Sequence, residues 1–328
     1  MAWFSWPMQR ETTLRTLRSL RESPSLKEAA IRKEHALAER DPEVRDFLRI
    51  VHLQADRAEA FQQFTEGGFA QDVLDTIRHH YGDRKDLSIC EIGAGDGFLA
   101  AALHRAGYTN LDVLEPSGEM VSGTGYLETL NEFSGLRIFN DLDEWYADPK
   151  TYDLIITNAC IHHFENPVVA SAQIRLKVTD NALWLAFAEY FAADYEETLA
   201  QLNRHRHAIL YTLYEWPYSA KLYKAMLQAG GFGRLAISAA IPYGKRRLSP
   251  LLRAWRAAWR LFVALKLDTL AYGAFVFLIK TFARPALPRA TALYMAFRAR
   301  PVRWADVPPG YVERPDRGML PGWRPVGA

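Results

Sequence analysis

The segment that most constrains this chain is an apolar run that breaks off into alternating glycines. Leu87 to Ile92 reads as a strand, and Glu91-Ile92-Gly93-Ala94-Gly95-Asp96-Gly97 carries it into a tight turn. A helix bearing Leu99, Ala102 and Leu103 follows at once and stops at Gly107. Glycine at every second position lets the backbone approach a ligand closely and adopt turns that other residues resist. The new helix N-terminus offers free amides to a polar or anionic group. The next strand, Leu111 to Leu114, closes on Glu115-Pro116-Ser117, where a carboxylate can accept hydrogen bonds from both ribose hydroxyls. Loop and acidic strand end together point to an adenosine-containing ligand.

Around this unit, strands alternate with helices. A helix with Val73, Leu74 and Ile77 precedes the first strand and ends at Gly82. Further strands are expected at 136–139, 154–157, 182–188, 235–240 and 292–297. Several are apolar throughout, as strands covered on both faces must be. The fold class is therefore α/β with a doubly wound sheet of seven strands. Residues 1–66 read as a helical extension: Ser25 and Glu28 have capping-box spacing, Asp41-Pro42 starts a helix, and Val44, Leu48, Val51, Ala55 and Ala58 mark its apolar face. That extension is either a packed accessory or a lid over a substrate site. The central domain comprises 67–244 and 290–300, with 245–289 inserted before the last strand and a Pro/Gly-rich tail at 301–328.

The glycine spacing decides between nucleotides. Dinucleotide enzymes use GxGxxG to admit a pyrophosphate, whereas here Gly93, Gly95 and Gly97 follow an acid two residues before the first. This pattern resembles motif I of the class I S-adenosylmethionine-dependent methyltransferases. Asp141-Leu142 after the third strand, Tyr152 to Phe164 around the fourth, and AMLQAGGF ending at Phe232 are similar to later motifs of that family. The nearest general likeness is to its small-molecule members, the ubiquinone- and menaquinone-pathway group. The resemblance implies a Rossmann-like methyltransferase sheet and S-adenosylmethionine as cofactor, with S-adenosylhomocysteine as product. It further implies cofactor contacts from Glu91, Gly93, Ala94, Gly95, Gly97, Glu115, Pro116, Asp141, Leu142 and Asn158. Within these, Glu91 would meet the methionine amino group, Glu115 the ribose, and Asp141 and Leu142 the adenine. Where the family often has Pro-Gly-Gly before the fifth strand, Val178-Thr179-Asp180-Asn181 is expected to make the turn instead.

His162 and His163 follow the fourth strand and are candidate general bases, the alternative being that they cap the next helix and pack on the sheet. Glu189-Tyr190 and the group His205, His207, Tyr211 and Tyr214 are secondary pocket candidates, with a core or surface-helix role favoured for the last four. The motifs of amino-methylating DNA enzymes and of protein arginine methyltransferases are missing. A small, lipophilic or aromatic acceptor is expected, and no nucleic acid. A membrane-associated lipid or quinone methyltransferase is the second reading, and a non-catalytic binding or scaffold protein the third.

The formal charge of +2 hides an asymmetry. Residues 245–289 hold ten basic side chains and one acid, a net of +9, which leaves −7 for the rest of the chain. Leu252, Trp255, Trp259 and Phe262 would share one helical face, and Arg253, Arg256 and Arg260 another. A cap on the acceptor pocket, a peripheral membrane contact, a homodimer contact and plain packing on the core compete for this insertion. Cys90 and Cys160 have no metal-ligand spacing, and no metal is expected. With no signal-peptide pattern at the start, the expected location is cytoplasmic, with peripheral membrane attachment as the variant.

Overall fold

The structure is a computed structural model. It describes residues 57–118, 120, 123–164, 166–192, 197–198, 216–243, 250–282 and 293–300, with isolated positions at 36 and 40–42. The capping box, most of the expected third helix, the His205–Tyr214 group and the tail lie outside the described residues.

Seven strands form one sheet: β1 (Ile89–Ile92), β2 (Leu111–Leu114), β3 (Arg137–Phe139), β4 (Tyr152–Asn158), β5 (Val178–Glu189), β6 (Phe232–Ser238) and β7 (Leu293–Ala299). Their spatial order is β3-β2-β1-β4-β5-β7-β6. The first five pair in parallel, and β7 runs antiparallel to both β5 and β6. Around them lie α1 (Arg57–Thr65), α2 (Gly68–Tyr81), α3 (Phe98–Arg105), α4 (Gly125–Glu128), α5 (Leu142–Ala147), α6 (Pro167–Leu176), α7 (Ala220–Ala229), α8 (Pro250–Ala264) and α9 (Asp268–Phe282). The expected doubly wound α/β fold is the observed one.

Alternation along the strands divides the interior into two layers. Leu183, Leu185 and Phe187 of β5 join a core with Val73, Ile77, Leu99 and Leu103. Trp184 and Ala186 point to the other face, among Trp145, Tyr223, Leu227 and Phe297. Strands buried on both sides need no polar face, which explains their continuous apolar runs. Strand order reverses direction between β1 and β4, the switch point at which open α/β sheets take ligands at the carboxyl ends of their strands.

Three expectations are corrected. Val178–Asn181 is not a turn before β5 but its first residues, with Asn181 at φ 69° where the register with β4 shifts. Asparagine tolerates this left-handed conformation, so a bulge replaces the turn. On α1, Ala58 is exposed, while Ala60 and Phe61 are buried. Phe61 packs edge-on against Phe98, Phe133 and Tyr126, and an aromatic side chain outweighs alanine in choosing the buried face. Arg256 does not join the solvated arginines: it turns to Asp72 of α2 and forms a buried ion pair, Nη1 to Oδ1 at 3.0 Å. Trp255 and Trp259 of α8 interlock with Phe275 and Tyr272 of α9 as an antiparallel hairpin over β6.

Candidate active site

The candidate site lies at the carboxyl ends of β1, β2, β3, β4 and β5. After β1 the chain passes through Gly93, Gly95 and Gly97, all left-handed, at φ 67°, 57° and 72°. Each glycine meets different surroundings. A Cβ on Gly93 would sit 2.2 Å from Cys160 Sγ, so the turn after β1 lies directly on the turn after β4. A Cβ on Gly97 would meet Leu127 Cδ2 at 2.6 Å, whereas one on Gly95 would find no atom within 4 Å. Two glycines therefore serve packing, and the middle one leaves an open cradle.

Glu115 braces this cradle from β2. Its Oε2 accepts from Gly95 N at 2.8 Å and its Oε1 from Ser117 N at 3.1 Å. Asn140 Nδ2 donates to Glu115 O at 2.8 Å and ties the end of β2 to the end of β3. Asp141 caps α5, accepting from Asp143 N and Glu144 N, and the neighbouring Leu142 is 47% exposed.

The electrostatics favour a cationic guest. Glu91 is 1% exposed, and its Oε2 has no hydrogen-bond partner. Burial, then the nearby Asp96 carboxylate, raises the Glu91 carboxyl well above its ordinary range; the Ala100 amide opposes this and Glu115 adds to it. Asp96 is raised as well, chiefly by burial, with Arg57 pulling the other way. Three acids converge on one loop, and a ligand bearing positive charge would relieve the cost of burying them. A pyrophosphate would add to it.

On the β4–β5 side of the site, left-handed alanines stand at the strand ends: Ala159, just after β4, at φ 48° and Ala188, next to last in β5, at φ 51°. Non-glycine residues in this conformation persist only where surrounding contacts hold them. Those contacts centre on Glu189, which accepts from Cys160 N at 3.1 Å and Ile161 N at 3.0 Å and lies 3.0 Å from His162 Nδ1. Burial pushes the Glu189 carboxyl up to about 7, against these amide bonds and the charge of His163.

Residues 60–235, more than half of the chain, match the model of the methyltransferase domain family. The chain belongs to that family. Curated relatives of this chain include the ubiquinone biosynthesis O-methyltransferase of Rickettsia bellii, 28% identical over 94 residues, covering 29% of this chain and 38% of that protein. The corresponding Rickettsia felis protein is 29% identical over 99 residues, with the same shares of each chain. The chain thus spans under two fifths of the length of the curated relatives it matches. Among solved structures, the plantazolicin methyltransferase BpumL in complex with a pentazolic desmethylPZN analog and SAH is 15% identical at a TM-score of 0.48, covering 84% of this chain and 99% of that one. An S-adenosylmethionine-dependent methyltransferase from Mesorhizobium loti is 14% identical at a TM-score of 0.47, covering 71% and 100%.

In this chain Glu91 lies in β1, Gly93, Ala94, Gly95 and Gly97 on the loop after it, Glu115 and Pro116 just after β2, Asp141 and Leu142 after β3, and Asn158 at the end of β4. The two histidines separate: His162 is fully buried beside Glu189, and His163 is exposed. Arg57 of α1 was missed by sequence reasoning. Its guanidinium lies over the Phe98 ring at 5.0 Å and 3.7 Å from Asp96 Oδ2, with Nε and Nη2 buried and lacking hydrogen-bond partners. No motif surrounds Arg57. It lies 36 positions ahead of Gly93, with α2 and β1 between them, so nothing in the neighbouring sequence ties it to the glycine loop. Glu189 was visible as an acid at a strand end, but its link to His162 was not.

Proposed function

We propose that this chain transfers a methyl group from S-adenosylmethionine to a small, lipophilic or aromatic acceptor. The observation that carries the reading is the buried, unpartnered Glu91 Oε2 beside the open Gly95 cradle. An α-ammonium group satisfies that oxygen and offsets the local negative charge. The buried nitrogens of Arg57 suit the adjoining carboxylate of the same amino-acid moiety. Glu115 receives the ribose hydroxyls while still bracing Gly95 and Ser117. Asp141 and Leu142 flank the adenine, and Pro116, Ala94 and Asn158 complete the walls.

Bound there, S-adenosylmethionine supplies a methyl group activated on a sulfonium. The chain's own contribution is alignment and exclusion of water, which suffices for transfer to a good nucleophile. The turns after β4 and β5 form the acceptor side, held by Glu189. For a hydroxyl acceptor, His162 is the better placed of the two histidines to take the proton, because Glu189 fixes its ring.

The test is incubation with methyl-labelled S-adenosylmethionine and a panel of lipophilic phenols and amines. Label should move to an acceptor as S-adenosylhomocysteine accumulates, and Gly95→Arg should abolish both. Absence of S-adenosylhomocysteine across the panel, with cofactor still bound, would remove catalysis from the account. The His162→Asn variant should lower kcat by roughly a hundredfold or more for a hydroxyl acceptor, with little effect on KM.

A further inference from the structure

The α8–α9 hairpin exposes an apolar surface that no part of the proposed reaction uses. Leu261, Leu265, Leu267, Leu270, Phe277 and Leu278 are all exposed, Leu270 by 73% and Phe277 by 66%. Both helices turn their aromatic faces inward, onto each other and β6, so their outward faces share one surface. On α9 that outward face is formed by Leu270, Gly273, Ala274, Phe277 and Thr281. From Thr269 to Ile279 the sequence carries no charge at all. A helix facing water normally puts charged side chains there. A contiguous apolar surface of this kind marks a contact.

The charge on the hairpin selects the contact. Arg253 and Arg260 line the outer edge of α8, and Lys266 sits at the tip between the helices, all exposed. Arg256 is spent on Asp72. Asp268, the one acid between residues 250 and 282, is buried against Arg234 and Ile237 N. The outward surface of the hairpin therefore presents cations beside apolar side chains and no carboxylate. A second copy docking face to face would set like charges together. An anionic bilayer takes both features: the leucines and Phe277 enter the acyl boundary while the basic edge meets phosphate headgroups.

We propose that the α8–α9 hairpin docks this enzyme onto the surface of a membrane containing anionic phospholipid. It lies in the interface and does not span the bilayer: among the described residues no helix is long and apolar enough to cross. The docking stands independently of the methyl-transfer reading, because the hairpin contributes no residue to the proposed cofactor cradle.

The experiment is flotation of the full chain with vesicles of phosphatidylcholine alone or of phosphatidylcholine with phosphatidylglycerol. The wild type should float with the anionic vesicles, much less with the neutral ones, and should be released by high salt. Leu270→Glu/Phe277→Glu should abolish flotation. Arg253→Glu/Arg260→Glu should weaken it by at least about tenfold, since each basic side chain near an anionic surface contributes roughly fivefold. All four side chains are exposed, so both variants should keep the wild-type unfolding midpoint and S-adenosylmethionine binding. If the apolar variant fails to fold, the arginine variant decides. Failure of the wild type to float on anionic vesicles, or flotation indifferent to both variants, would overturn the proposal. So would a stable dimer that Leu270→Glu dissociates without vesicles having bound. Loss of cofactor binding in the wild type would count against the cradle and leave the docking surface standing.

Discussion

Exchanging single glycines of the cradle for alanine separates its packing role from its binding role. At Gly93, alanine must hold φ near 67° and place a methyl 2.2 Å from Cys160 Sγ, whose own side chain is buried. The left-handed conformation costs an L-residue about 1–2 kcal/mol, and forcing a methyl into a filled interior adds about 1–3 kcal/mol. Gly93→Ala should therefore lose about 2–5 kcal/mol of folding stability. At Gly95, alanine pays the conformational cost alone, about 1–2 kcal/mol, because nothing lies within 4 Å of the added carbon. Its effect should appear in binding, where the methyl occupies the space through which the cofactor reaches the backbone. Urea unfolding followed by circular dichroism gives the first quantity, and calorimetric titration with S-adenosylmethionine the second. The expected pattern is a strongly destabilised Gly93→Ala and a well-folded Gly95→Ala whose affinity has fallen at least about tenfold, or about 1.4 kcal/mol. A Gly95→Ala protein that binds as tightly as wild type would refute the cradle.

Other consequences follow from the charged groups. Glu91→Gln should weaken S-adenosylmethionine binding and flatten its pH dependence. In the wild type an ammonium group selects the ionised carboxylate, whose pKa is raised, so affinity should climb with pH as Glu91 ionises and be lost as pH falls through that value. Glu189 has a folded pKa of about 7 against 4.5 in the unfolded chain, so the native state holds the proton more tightly. Stability should therefore fall as pH rises between those values, by up to about 3 kcal/mol. In urea titrations Glu189→Gln should remove that slope. Asp72→Asn leaves the Arg256 guanidinium buried without its counter-charge and should cost about 3–5 kcal/mol in urea unfolding, whereas Asp72→Leu/Arg256→Met should cost far less.

What the sequence made legible were the features written in consecutive residues. The strand at Leu111–Leu114, the glycine turn and the helix stop at Gly107 all follow from apolar runs and local breakers. So does the place of Glu115 at a strand end, although its second duty of bracing Gly95 N needed coordinates. Side-chain partners brought together by the fold were not legible. Arg256 reaches an aspartate 184 positions away, and helical periodicity assigned it to the solvated face because Asp72 cannot be seen from α8. The His162–Glu189 contact joins the ends of two strands 27 residues apart, and only sheet register aligns them. Arg57 was hidden for the same reason: its meaning comes from Asp96 and from the rings of Phe98 and Tyr126 beneath it. The turn expected at Asp180-Asn181 failed because a bulge uses the same residue types as a turn.

The central claim is that three acids and an open glycine form a cradle for a cationic, adenosine-containing cofactor. Calorimetric titration of the wild-type chain at neutral pH with S-adenosylmethionine, and separately with NAD, tests it most directly. The account predicts saturable one-to-one binding of S-adenosylmethionine, weakened about tenfold to a hundredfold by Glu115→Ala through loss of charged hydrogen bonds, and no measurable binding of NAD. Binding of NAD in place of S-adenosylmethionine, or S-adenosylmethionine affinity unchanged in Glu115→Ala, would contradict it.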